Sequence, residues 1–220
     1  IGSIEHDYRQ TLFVCSVQTD EASEGTAYER CSSQGPVALL PMPEGRYGAV
    51  CGVAGDQAGK IMQLPDAAFA DYLQSRFGWR AGKILRVGAR SHYPIKRVLA
   101  DRLCADSVFI LGNAAQTIHP IGAQGFNLGL RDAMSLARIL TDDGNPEEAA
   151  SLYRASRTED RAQTLAFSDG LARLTANDGL PLHALRSLGL SILGTAPGLA
   201  SDLIGRAMGY RANAEREEAL

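Results

Sequence analysis

Cysteine is scarce in this 220-residue chain, and the four that occur, Cys15, Cys31, Cys51 and Cys104, are far apart and form no Cys-x-x-Cys. That spacing argues against a metal cluster or a dense disulfide framework. Three of the four sit in apolar or alternating stretches, so they read as buried free thiols of a reducing, cytoplasmic compartment. His6, His92 and His183 are equally scattered and offer no metal-ligand spacing. An excess of one charge is also missing. The 22 Lys and Arg against 25 Asp and Glu leave a formal net charge of −3, which gives nucleic acid no electrostatic footprint to bind. No membrane-spanning run stands out either. The longest uncharged stretch, Ser107 to Leu130, contains Asn113, Gln116, His119, Pro120, Gln124, Asn127 and four glycines, and lipid supplies no partner for such groups. The start, Ile1-Gly2-Ser3-Ile4-Glu5, has neither an initiator Met nor a signal-peptide pattern, and no Gly-x-Gly-x-x-Gly occurs anywhere. The chain therefore reads as a piece of a longer one.

What is present suffices for a folded core: 45% of residues are hydrophobic and 21% charged. From Tyr8 to Val53, short β-prone runs (Thr11 to Thr19, Gly25 to Cys31, Val37 to Pro41, Arg46 to Val53) are broken at Gln34-Gly35-Pro36 and Pro43-Glu44-Gly45. Those breaks have the chemistry of reversals between antiparallel strands. Pro65 to Trp79 reads as a helix, with Phe69, Leu73 and Phe77 four residues apart on one face. The apolar alternation of Thr11 to Val17 and Val37 to Leu40 suggests a sheet face larger than that one helix covers. Gly52 to Lys60 lacks the spacing and the hydroxyl of a phosphate loop and reads as a plain loop.

Lys83 to Ile95 returns to a strand pattern. Ser107 to Gly112 is a short run apolar on both faces, the pattern of a strand in a covered parallel sheet, whose neighbours are expected in an N-terminal segment. Helices are expected over Gly125 to Leu140, Pro146 to about Ala176, Leu182 to Leu193 and Gly198 to Met208. The division expected is an antiparallel sheet with one helix over 1–104, a strand, loop and helix over 105–145, and helical segments over 146–220.

The informative stretch is Gly112 to Asp132. It leaves the end of a buried strand and runs into a helix N-terminus. Small residues at Gly122, Ala123 and Gly125 let a flat ligand approach the backbone, and the helix start offers unpaired N–H donors and a partial positive charge. A glycine-rich turn that only reverses the chain fits the spacing equally well. His119 suits either a general base or a residue that orients the loop through a backbone hydrogen bond, and no catalytic residue can be named. Arg131 and Asp132 read as an internal pair that fixes the helix.

This stretch, Gly112-Asn113-Ala114-Ala115-Gln116 followed by Pro120-Ile121-Gly122-Ala123-Gln124-Gly125-Phe126-Asn127, resembles the second flavin motif of the FAD-dependent aromatic hydroxylases. The likeness is strongest to the 2-octaprenyl-6-methoxyphenol hydroxylase branch, of ubiquinone biosynthesis. Asp7-Tyr8-Arg9-Gln10, Pro41-Met42-Pro43 and Met208-Gly209 support it. The resemblance implies an α+β or α/β architecture: an antiparallel-sheet substrate domain, the C-terminal part of a Rossmann-type FAD-binding domain, and C-terminal helices. It also implies FAD as cofactor, NAD(P)H as reductant and a hydrophobic polyprenylphenol as substrate. Gly112 and Asn113 would meet the ribityl or phosphate portion, Pro120 the ring, and the backbone of Gly122, Ala123, Gln124, Gly125 and Asn127 the pyrimidine edge. The order Gly122-Ala123 inverts the family's usual one, which brings the Ala123 Cβ towards the ring. For the tail from Leu182 to Met208, packing on the flavin domain and contact with the inner-membrane surface both stay open, as do a homo-oligomer and a biosynthetic complex. A ubiquinone-pathway hydroxylase of different regiochemistry also stays open, as does a reading from another class, a non-catalytic lipid- or partner-binding module.

Overall fold

The computed structural model describes residues 1–32, 34–106, 108–142 and 145–176, with single positions at 189, 195, 198, 201 and 205. Apart from those positions, the helices expected over Leu182 to Leu193 and Gly198 to Met208 lie outside the described residues. The chain forms two compact units. One comprises residues 7–95 with 175–178, the other residues 1–6, 96–174 and 179–220.

The first unit is built on an antiparallel sheet. Strand β1 (Ser3–Thr19) pairs with β4 (Tyr47–Ala54), β3 (Val37–Pro41) lies beyond β4, β2 (Tyr28–Arg30) forms the edge, and β5 (Ile84–Val87) pairs with the end of β1. Strict alternation sets the register: Phe13, Cys15, Val17, Val37, Leu39, Ala49, Cys51 and Val53 all point to one buried face. Burial pushes the Cys15 and Cys51 thiols up to about 11, so both stay protonated and inert. Helix α2 (Asp66–Phe77) follows Pro65 and lays Phe69, Leu73 and Phe77 on that face.

Two expectations change here. Gly55 to Met62 is helix α1, directly after β4, rather than a loop. Its two glycines mask a one-sided pattern in which Ala58 and Ile61 pack on the core, while Asp56 and Lys60 sit at the ends that suit their charges. The face expected to have apolar surface to spare is consequently closed by two helices.

Arg76 ties α2 to the opposite hairpin, donating to the carbonyls of Gly52 (3.2 Å) and Gly35 (3.0 Å). There the two glycine backbones touch: a Cβ at Gly35, where φ is +115°, would lie 2.8 Å from the Gly52 carbonyl carbon. Gly35→Ala is expected to cost about 2–4 kcal/mol by strain and overpacking, read from the denaturation midpoint; an unchanged midpoint would contradict that close approach.

In the second unit, β9 (Gln116–Thr117) pairs antiparallel with the end of β6 (Ser91–Ala100), with Val98 opposite Thr117. Strands β7 (Cys104–Ala105) and β8 (Val108–Phe109) form a small hairpin. The parallel strand expected over Ser107 to Gly112 is thus, among the described residues, a two-residue antiparallel one, and Val108 is 57% exposed. An apolar run reports only that both faces are to be covered, not which neighbour covers them. Helices α3 (Gln124–Asp142) and α4 (Pro146–Ala176) follow as expected. Tyr153 of α4, fully buried, stacks edge-on against Phe109 and donates to the Ile110 carbonyl at 3.2 Å.

Candidate functional site

The stretch singled out in the sequence is a folded-back loop whose two ends meet on α3. Gly112 opens a short 3₁₀ turn through Ala114 with φ +56°, and it lies so close to α3 that a Cβ on Gly129 would be 3.1 Å from its Cα. Its N–H donates to the Asp132 carboxylate at 3.1 Å. The chain then crosses β9 and turns at His119 and Pro120. His119 is buried; its Nδ1 accepts from the Ile121 N–H (3.2 Å), and its carbonyl accepts from the Ser168 hydroxyl (3.0 Å). Of its two candidate roles, these bonds describe the loop-orienting one.

Gly122 and Ala123 follow with φ of +77° and +51°, two successive left-handed residues just before α3 starts. For Ala123 that conformation costs about 1–2 kcal/mol. Gln124 is buried and returns its side-chain N–H to the Gly122 carbonyl at 3.0 Å, which stiffens the bend. Of the remaining sequence-derived site residues, Asn113 and Pro120 are exposed, while Gly125 and Asn127 are half-buried in the first turn of α3. Gly125 has helical backbone rather than a left-handed one, and a Cβ there would meet nothing closer than an Ile118 carbon at 3.8 Å. The chain's own packing therefore does not require this glycine. A surface of small residues, exposed beside a helix N-terminus, fits a flat ring with an acceptor-rich edge.

Arg131 and Asp132 do not pair with each other. Being adjacent on a helix, they point apart. Arg131 binds Asp160 of α4 (2.8 Å), and Asp132 binds Arg157 of α4 (2.8 Å). Burial works against the Arg157 charge, but hydrogen bonds to Asp132 and Asp160 outweigh it and hold its pKa above the usual guanidinium value. Arg161, one turn on, donates to the carbonyls of Ala100 (2.9 Å) and Ala115 (3.0 Å). These supports were not found from sequence, where charges inside a long helix look like any solvated face.

A family model described as an FAD binding domain matches residues 6–167. The chain belongs to that FAD-binding-domain family. Among its relatives, the ubiquinone hydroxylase UbiL of Rhodospirillum rubrum is 35% identical over 86% of this chain and 46% of its own length. The ubiquinone hydroxylase UbiM of Neisseria meningitidis is 29% identical over 86% and 42%. The chain thus spans about half the length of the curated relatives it matches. The crystal structure of Klebsiella pneumoniae HpxO complexed with FAD and uric acid shares the fold, with a TM-score of 0.66 at 18% identity over 86% of this chain and 50% of that one. The fold class expected, an antiparallel sheet with C-terminal helices in an α+β arrangement, is the one this FAD-binding family shows.

Burial lowers the His119 pKa below its ordinary 6.5, and the nearby Asp169 charge offsets this only in part. A depressed pKa means that the unfolded chain binds the proton more readily. The neutral ring's contribution is therefore complete above about pH 6.5 and is lost as pH falls through the folded-state value. Stability is expected to decline below that pH, and His119→Gln to flatten the decline. Identical pH profiles for the two proteins, measured by denaturant unfolding, would show that His119 is not the source.

Proposed function

We propose that this chain supplies the flavin loop and the substrate sheet of an FAD-dependent monooxygenase that hydroxylates the ring of a polyprenylated phenol in ubiquinone biosynthesis, with NAD(P)H as reductant. The observation that carries the reading is the loop from Pro120 to Asn127: two left-handed residues and a glycine that internal packing does not need, at the N-terminus of a 19-residue helix. Gly112 and Asn113 would hold the ribityl or phosphate portion of FAD, Pro120 would lie against the ring, and the backbone from Gly122 through Ala123, Gln124 and Gly125 to Asn127 would bind its pyrimidine edge. The cofactor, when bound, supplies the oxygen-transfer chemistry. The chain's own part is to fix the ring through rigid backbone donors and to keep water out.

In the sheet unit, the face opposite α1 and α2 is the more exposed one. Leu12, Val14, Ala38 and Val50 are only half-buried there, and Leu40 is 47% exposed. An apolar surface of that kind suits a phenol with a hydrophobic tail. Such a substrate resides in lipid, so the same reading has the protein working at a membrane surface, alone, as a homo-oligomer or within a biosynthetic complex. Among the described residues no helix is long and apolar enough to cross a membrane.

The test is to purify the intact protein and look for bound flavin and for oxygen uptake that depends on an added polyprenylphenol. Flavin with phenol-dependent uptake is expected. Lipid binding without flavin would favour the non-catalytic module, and NAD(P)H oxidation indifferent to the phenol would remove the substrate class.

A further inference from the structure

We propose that Arg157 of α4 is a positioning residue for the flavin loop, acting through Asp132 and Gln116; the proposal rests on the flavin reading above. Asp132 is 2% exposed and joins three groups. One carboxylate oxygen accepts from the Gly112 N–H (3.1 Å) and from the Gln116 side-chain N–H (2.6 Å), and the other accepts from Arg157 Nε (2.8 Å). Among the described residues, Arg157 is the cation within ion-pair distance of this carboxylate. Its other terminus is held by Asp160, which Arg131 also binds, so the guanidinium is fixed at both ends.

Two features of the loop depend on that charge. The Gly112 N–H points at the carboxylate while the residue sits at φ +56°, and the loop runs on from there to Asn113. Gln116, 3% exposed, has its amide orientation dictated: with the N–H end drawn to the carboxylate, the carbonyl end must face away, and Oε1 is buried with no hydrogen-bond partner among the described residues. Without Arg157 the carboxylate is buried with no cation at ion-pair distance among the described residues, Arg161 acting on it only at longer range. It relaxes by taking up a proton or admitting water at the oxygen Arg157 has vacated; a proton removes the charge that strengthens the hydrogen bonds from Gly112 and Gln116 to the other oxygen, and water lets the carboxylate shift away from them. The loop then loses a tether, although no group that would touch the flavin has been altered.

A pair that served only to stabilise the fold would behave differently, because neutralising both partners relieves the buried charge. The experiment measures FAD dissociation constants, bound-flavin visible spectra and melting temperatures for the intact protein, for Arg157→Met, and for the double variant Asp132→Asn with Arg157→Met. Arg157→Met is expected to weaken FAD about tenfold or more and to shift the flavin spectrum. The double variant is expected to recover most of the melting temperature while FAD binding stays about tenfold weak. Recovery of both, or an Arg157→Met dissociation constant within about twofold of the unaltered protein, overturns the proposal. Should Arg157→Met fail to fold, uncharged Gln116→Met takes its place: weakened FAD with an altered spectrum supports the relay, and unchanged binding sinks it. An unaltered intact protein that binds no FAD removes the flavin reading itself and this proposal with it, whereas normal FAD binding in every variant removes the proposal alone.

Discussion

Gly122→Val in the intact protein is expected to weaken FAD by about thirtyfold or more, the largest loss of any single change in the loop. At φ +77° an L-residue pays about 1–2 kcal/mol, and a β-branched one pays more because its Cγ atoms crowd the backbone. The Cβ itself would sit 3.4 Å from a Leu171 methyl and 3.5 Å from the Phe167 ring, so the added methyls have no room on that side. The chain escapes the strain by leaving the left-handed region, which swings the N–H groups at the start of α3 away from their present directions. Two other variants calibrate the result. Asn113→Ala removes at most one exposed hydrogen bond, worth about 1 kcal/mol. Gly125→Ala adds a methyl to a helical residue with only an ordinary 3.8 Å contact inside the chain, and by helix propensity alone it should stabilise α3 by about 1 kcal/mol. If Gly125→Ala weakens FAD while raising the melting temperature, the methyl collides with the guest and not with the protein. A Gly122→Val dissociation constant no weaker than that of Asn113→Ala would place the binding surface elsewhere.

That ordering could not be read from the sequence. Sequence reasoning groups Gly122, Ala123 and Gly125 as small residues that let a flat ligand approach, and allows a positive φ at Gly125. The backbone puts the left-handed turn at Gly122 and Ala123 and leaves Gly125 out of it, and it is the alanine that accepts the unusual conformation. Glycine in a sequence signals permission for left-handed backbone, not its use.

The elements that were legible had a strong period or hard punctuation. Strand β3 and helix α4 follow the Val37 to Pro41 and Pro146 to Ala176 patterns, and Pro65 marks the start of α2. What stayed hidden depended on partners distant in the chain. The assignment of Asp132 to Arg157 rather than to its neighbour Arg131 is settled by the way α3 and α4 pack, and no spacing within either helix encodes it. The two-residue hairpin of β7 and β8 is likewise below the length at which alternation can be recognised. Helix α1 escaped notice because Gly55 and Gly59 argue against a helix locally, while burial of Ile61 beneath the sheet overrides propensity.

The sheet raises a second large expectation, carried by the face that α1 and α2 leave open. Register lines up Val14 of β1 with Val50 of β4 and with Ala38 of β3, and Leu40 lies opposite Gly48, so an apolar strip crosses three strands. This is the reverse of the face that the alternation of Thr11 to Val17 first suggested, because the residues of that set are already buried under the helices. If the open strip takes the tail of a prenylated phenol, each CH₂ removed from water contributes up to about 0.8 kcal/mol, and a five-carbon unit lying half-buried on it should tighten binding about tenfold or more. Affinity in the intact protein should therefore climb steeply from zero to one to two isoprene units and level off where the strip ends. Leu40→Ser and Val14→Ser should each reduce the slope of that series while leaving the affinity for the tail-less phenol nearly unchanged, since they remove contacts only the tail makes. An affinity that is flat across phenols with zero, one, two and three units would show that the strip binds no tail and that only the ring is recognised. A steep series left untouched by both serine variants would move the tail to another surface of the protein.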